Sequence, residues 1–164
     1  MKNIFIIAAF LMLTVVSCNK DDEKTDTEKP VIDLSFDGTF PANGSHLHFG
    51  EKAVVKFRLT DNSELGSFSI NIHDNFDHHS HSTEEEGGEH HHHHDEDGEG
   101  DAFYFSKDYE IPSGQKEYIV NEEIVIPSAS DDGDAFKGGD YHFQITVTDK
   151  AGWSSFKALE IEIE

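Results

Sequence analysis

The sequence predicts an all-β sandwich of seven strands, with a long His/Asp/Glu-rich insertion between the third and fourth strands. Three observations carry this. Outside one segment the apolar residues recur with period 2 and are mostly aromatic or β-branched. Turn-forming residues separate the runs. No stretch of useful length shows the 3.6-residue periodicity of an amphipathic helix.

The strands follow in order. Val31 to Phe36 alternates Ile32, Leu34 and Phe36. Ala53 to Thr60 alternates Val55, Phe57 and Leu59. Ser67 to His73 alternates Phe68, Ile70 and Ile72. Ala102 to Tyr109 carries Phe103 and Phe105. Tyr118 to Ile126 carries Tyr118, Val120, Ile124 and Ile126. Tyr141 to Thr148 alternates Tyr141, Phe143, Ile145 and Val147. Ser155 to Glu164 ends in Leu159, Ile161 and Ile163, with a slip of phase after Phe156 that suggests a bulge. Between the last two, Asp149-Lys150-Ala151-Gly152 makes a short hairpin loop in which Gly152 supplies a positive φ. Trp153 beside it is expected to pack on the hairpin.

The first 29 residues are expected to lie outside the fold. Lys2 followed by the apolar run Ile4 to Val16 reads as a signal peptide over residues 1–17, too short to span a bilayer, which needs about 20 residues. Val15-Val16-Ser17-Cys18 resembles a bacterial lipobox, which makes Cys18 the lipid-bearing residue. Cys18 is the one cysteine, so no disulfide is expected. Residues 18–29 read as a flexible acidic tether. Lys20 followed by Asp21, Asp22 and Glu23 resembles the surface-export signal of Bacteroidetes lipoproteins, or is simply an acidic linker. Residues 30–164 leave room for one domain with its own core.

The stretch GDYHFQITVTDKAGWSSFKALEIEIE resembles the final hairpin of bacterial immunoglobulin-like domains. Together with the lipobox, KPVIDLSF and SINIHDNFDHHSH, the whole chain after the signal resembles a family of uncharacterised Bacteroidetes lipoproteins, classed as a domain of unknown function. The resemblance implies an immunoglobulin-like β-sandwich at the envelope, in the outer membrane, facing outward or toward the periplasm. It implies no activity.

The function has to come from the residues. The net charge is −22, which repels nucleic acid and anionic lipid and attracts cations. There is no basic patch, glycine-rich phosphate loop or nucleophile elbow. The insertion, residues 74–101, is expected to be disordered without metal, because no apolar anchor lies between Phe76 and Ala102. It holds His78, His79, His81 and the run His90, His91, His92, His93 and His94. Neutral imidazole mixed with carboxylates suits Zn²⁺, and also Ni²⁺ or Cu²⁺. Imidazoles titrate near pH 6.5, so capture should weaken in mild acid.

In an immunoglobulin-like order, alternate connections share one end of the sandwich. The third strand then ends at His73 beside the start of the sixth at His142, and both side chains point away from the core. His46 and His48, two apart and facing one way if extended, fall in the connection at that same end. Asp131, Asp132 and Asp134 fall in another. The last strand presents Glu160, Glu162 and Glu164 in one outward phase, and we take Glu162 as the ligand. The incoming tether would sit at the opposite end. At that opposite end LTDNSELGS could hold Ca²⁺ through Asp61, Asn62 and Glu64, or be ordinary turn chemistry.

These readings favour a non-enzymatic, envelope-anchored metal-binding lipoprotein that buffers Zn²⁺, acquires it or hands it to an uptake component. Strand-borne His73, His142, His46, His48 and Glu162 would form the rigid site, with the loop histidines as antenna. The alternative is an adhesion module that binds a partner protein or glycan, with the insertion incidental. A metallohydrolase lacks a general base set apart from the ligands.

Overall fold

The computed structural model describes residues 25–76 and 100–164. These residues are all-β, with eight strands in two sheets. The smaller sheet is antiparallel and contains β1 (Val31–Asp33), β3 (Lys52–Thr60) and β6 (Glu117–Val125), in the order β1-β3-β6. The larger contains β2 (Ser45–Leu47), β4 (Leu65–Asp74), β5 (Phe105–Glu110), β7 (Gly139–Asp149) and β8 (Ser154–Ile163). Its order is β2-β8-β7-β4-β5.

The alternation seen in the sequence sets which side chains face the core. Ala53, Val55, Phe57 and Leu59 of β3 are buried, as are Phe68, Ile70 and Ile72 of β4 and Tyr141, Phe143, Ile145 and Val147 of β7. Phe57 from the smaller sheet meets Phe68 of the larger edge-on, with ring centroids 6.1 Å apart. Phe68 in turn stacks on Tyr109 at 4.6 Å. The core of a β-sandwich is made by such contacts between inner faces.

β1 stops at Asp33, short of the expected Phe36, and the structure departs from the expected strands in three further places. An eighth strand, β2, lies between the first and second expected runs. With one apolar residue, Leu47, it has little alternation of its own. It forms because β8 offers an unpaired edge, on which Ser45–Leu47 lie in parallel register with Ile161–Ile163. The fourth strand begins at Phe105 rather than Ala102. Phe103 precedes it and packs with Phe49 and Phe136, at centroid distances of 6.4 and 5.5 Å, to close one end of the core. Finally, the ladder between β7 and β8 runs without a break from Gly139↔Ile163 to Thr148↔Ser154, so the suggested bulge is absent. Phe156 pairs with Thr146 and faces outward, 38% exposed. Hydrophobicity at that position misled the phase.

β4 runs on to Asp74, which pairs with Tyr141, and the Asn75 amide donates to the Asp140 carbonyl. Phe76 packs edge-on against Tyr141 at 5.4 Å. A Cβ on Gly139, whose φ is +136°, would meet the Phe76 ring at 3.2 Å, so this start of β7 suits glycine. The chain returns at Gly100, where a Cβ would come within 2.5 Å of the Ala135 carbonyl, and Asp101 bridges to Phe136. Both attachment points of the inserted segment therefore lie at the end of the larger sheet where β4 stops and β7 begins.

The smaller sheet carries an electrostatic brace. The Ser35 hydroxyl and amide donate to Asp33 Oδ1 at 2.6 and 2.9 Å, and Arg58 Nε donates to Oδ2 at 3.0 Å. These hydrogen bonds, Ser35 first and Arg58 next, lower the Asp33 pKa from 3.8 to about 2. A depressed carboxylate stabilises the fold above its unfolded pKa and loses that contribution as pH falls through its folded value. Acid unfolding should therefore show a loss between pH 3.8 and about 2 that Asp33→Asn lacks. Circular dichroism of both chains across that window checks this, and identical acid profiles would refute it.

Candidate metal centre

β8 organises the candidate site. Leu159, Ile161 and Ile163 face the core, so Glu160 and Glu162 face outward along one line. The parallel register of β2 places His46 directly beside Glu162. On the other side of β8, Asp140 pairs with Glu162 and His142 pairs with Glu160. One strand further, His73 pairs with His142. His46, His73 and His142 thus share the outer face of the larger sheet, and an ion contact ties His48 to the same face.

Two clusters result. In the first, His46 Nδ1 lies 3.4 Å from Glu162 Oε2 and 3.6 Å from Glu164 Oε1. His48 Nδ1 lies 3.6 Å from the same Glu164 oxygen. One ligand atom each from His46, Glu162 and Glu164 fall within 4.8 Å of one another. These separations exceed ordinary N–H···O hydrogen bonds of about 2.7–3.2 Å. They approximate the edge of a tetrahedron whose donors sit about 2.0–2.1 Å from a central Zn²⁺, which is roughly 3.3 Å. All four side chains are about half exposed, at 54% for His46 and Glu164, 51% for His48 and 46% for Glu162.

The second cluster is the His73–His142 pair, with ring centroids 5.4 Å apart and planes inclined by 70°. Asn71 Oδ1 lies 2.6 Å from His73 Nδ1, and Asn71 Nδ2 donates to the Tyr104 hydroxyl at 3.0 Å. An amide oxygen only accepts, so His73 Nδ1–H is the donor in this bond. Such support through the far ring nitrogen is how proteins orient histidine ligands. His142 departs from expectation. Its phase points away from the core, yet it is 4% exposed, with the His73 ring 5.4 Å away on β4 and Glu160 paired with it on β8.

The expected single rigid site is therefore two pairs. Glu162 belongs with His46, and Glu160 is the glutamate opposite His142. Among the described residues, the ligand atoms that lie within 4.8 Å of one another come from His46, Glu162 and Glu164 and do not include Glu160, His73 or His142. Glu164 joins the first cluster on equal terms with Glu162. Pairwise reading of the expected strands could not find this, because the partner strand β2 was not among them. His78, His79, His81, His90, His91, His92, His93 and His94, and also Cys18, lie outside the described residues. Of the acidic residues in the connection after β6, Asp134 lines a groove together with Gly100 and Asp101. At the other end of the sheets Glu64 is engaged, its Oε1 accepting the Gly114 amide at 2.9 Å.

Residues 16–164 match the family model described as Domain of unknown function (DUF4625). The chain belongs to the DUF4625 family. No curated protein matches it. Membership covers the whole described part of this DUF4625 chain, so both histidine clusters and the sheet that carries them lie within the family's domain. Among the described residues, no helix is long and apolar enough to cross a membrane.

Proposed function

We propose that this DUF4625 chain binds a divalent transition metal, above all Zn²⁺, with Ni²⁺ or Cu²⁺ as chemically related ligands. The carrying observation is the spacing of His46, Glu162 and Glu164, whose nitrogen and oxygen atoms stand as donors about one small ion would. A mixed imidazole and carboxylate set without thiolate suits these borderline ions better than Ca²⁺ or Mg²⁺. Half-exposed ligands fit an ion that is taken up and released, as buffering or hand-over to an uptake component requires. A structural zinc site is normally closed by four protein ligands.

The finer architecture is an immunoglobulin-like sandwich, supported by the sheet orders β1-β3-β6 and β2-β8-β7-β4-β5. The chain enters β1 beside Thr60, at the end of the sheets away from His73 and His142. With a lipid on Cys18 and residues 18–29 as tether, the histidine end would face away from the membrane of a Bacteroidetes-type cell envelope. The inserted segment is attached at that end and would bring further imidazoles to it. The protein would have no enzymatic role. Adhesion ranks second, because exposed Val54, Ile119 and Val125 of the smaller sheet are interspersed with Lys52, Arg58, Glu117 and Glu123.

Isothermal titration of the full-length chain with Zn²⁺ tests the reading. We expect one tighter site that survives deletion of residues 80–100, and weaker sites that disappear with them. Binding weaker than about millimolar throughout would overturn it. Binding lost entirely on the deletion would refute the strand-borne site.

A further inference from the structure

The end of the sandwich opposite the histidines carries a second, chemically different cluster. Asp26 precedes β1, Asp61 follows β3, and Asp149 closes β7. One carboxylate oxygen from each falls within 4.8 Å of the other two. The three side chains are held alike. Asp26 Oδ1 accepts the Glu28 amide at 3.1 Å, Asp61 Oδ1 accepts the Ser63 and Glu64 amides at 2.8 and 2.7 Å, and Asp149 Oδ1 accepts the Trp153 amide at 2.9 Å. In each case Oδ2 is buried and has no hydrogen-bond partner among the described residues. Asp149 as a whole is 4% exposed.

A buried carboxylate oxygen without a partner is costly, and three carboxylates gathered together repel. Among the described residues, no Lys or Arg ion pair reaches them. The Lys116 ammonium donates to the Asn62 carbonyl, and the described Lys and Arg ion pairs go to Glu123, Asp33 and Glu117. We infer that Asp26, Asp61 and Asp149 form a Ca²⁺ site that fastens the segment leading into β1 onto the β7–β8 hairpin. The donors are all oxygen, which selects a hard cation over the ions suited to imidazole. Oxygens about 2.4 Å from a shared Ca²⁺ stand at most about 4.8 Å apart, which the three carboxylates satisfy, and Mg²⁺ dehydrates reluctantly and is usually held by only one or two carboxylates. Water or backbone carbonyls would complete the coordination.

This site is independent of the zinc reading. Asp140 and Asp149 lie nine residues apart along β7, so the two ends are about 30 Å distant. It also differs from the Asp61, Asn62 and Glu64 set suggested by sequence. Glu64 is bound to Gly114, and the other two carboxylates come from residues distant in the chain.

Trp153, the chain's one tryptophan, supplies a local reporter. Its indole N–H donates to the Asp26 carbonyl at 3.1 Å, which places the ring beside the triad. Tb³⁺ replaces Ca²⁺ at oxygen sites and emits when a close indole is excited. We expect the full-length chain to give tryptophan-sensitised Tb³⁺ emission that Ca²⁺ displaces at much lower concentration than Mg²⁺. Asp26→Asn lies outside the strand ladder and should weaken binding about tenfold without changing the circular dichroism spectrum. Asp61→Asn should do likewise, and His46→Ala should leave the emission unchanged. No sensitised emission, or emission indifferent to both Asp26→Asn and Asp61→Asn, would overturn the site. Displacement by Mg²⁺ as readily as by Ca²⁺ would overturn its assignment to calcium.

Discussion

The double variant His46→Ala, Glu164→Gln should lose Zn²⁺ affinity on the order of 100-fold or more, measured by titration against a competing chelator. His46 supplies the nitrogen common to two of the three contacts of the first cluster, and Glu164 bridges His46 and His48. Removing both leaves His48 and Glu162 without the donors between them. The side chains are about half exposed, so the substitutions leave no buried cavity and the fold should be kept. His73→Ala is the matching control. It alters the second cluster and spares the first, so the tighter site should survive. If His73→Ala abolished that site while the double variant did not, the assignment would pass from the His46 cluster to the His73–His142 pair.

Phe57→Ala should destabilise the domain by about 3–5 kcal/mol. Phe57 is fully buried and reaches from the smaller sheet to Phe68 of the larger one. The loss combines apolar area returned to water with a cavity that two hydrogen-bonded sheets cannot collapse to fill. Domains of this size are stable by about 5–15 kcal/mol, so the change is a large fraction of the total. Urea unfolding should show a lower midpoint with an unchanged slope. Val54→Ala, three residues away in the chain but on the outer face and 54% exposed, should stay within about 0.5 kcal/mol. Equal effects at the two positions would mean that the inner faces are not packed as described.

The two outcomes differ in how far the sequence anticipated them. Phe57 was legible, because a residue flanked by alternating Val55 and Leu59 has to share their face. The pairing of His73 with His142 was legible too, since each closes or opens a strand of clear phase and the two strands were expected to be neighbours. The His46–Glu162–Glu164 cluster was legible only in part. His46 and His48 showed their common direction, and the glutamates showed theirs. That they meet depends on Ser45–Leu47 joining the free edge of β8, and a three-residue strand with one buried apolar side chain carries almost no local signal. The triad of Asp26, Asp61 and Asp149 was more hidden still. Asp26 and Asp61 sit in connecting segments and Asp149 ends β7 at the mouth of a hairpin turn, places where aspartate is ordinary, and local chemistry explains each one alone.

Side-chain direction was determined by the sequence itself, because the two-residue period of a strand is a property of the backbone and needs no partner to express it. Which strands became neighbours, and therefore which imidazoles and carboxylates stand a few ångströms apart, was decided by the tertiary structure. Edge pairing is made by backbone hydrogen bonds that every residue except proline can offer, so the identity of the partner is not written in the side chains of either strand. The burial of His142 on an outward phase and the separation of the histidines into two pairs both follow from that choice of neighbours.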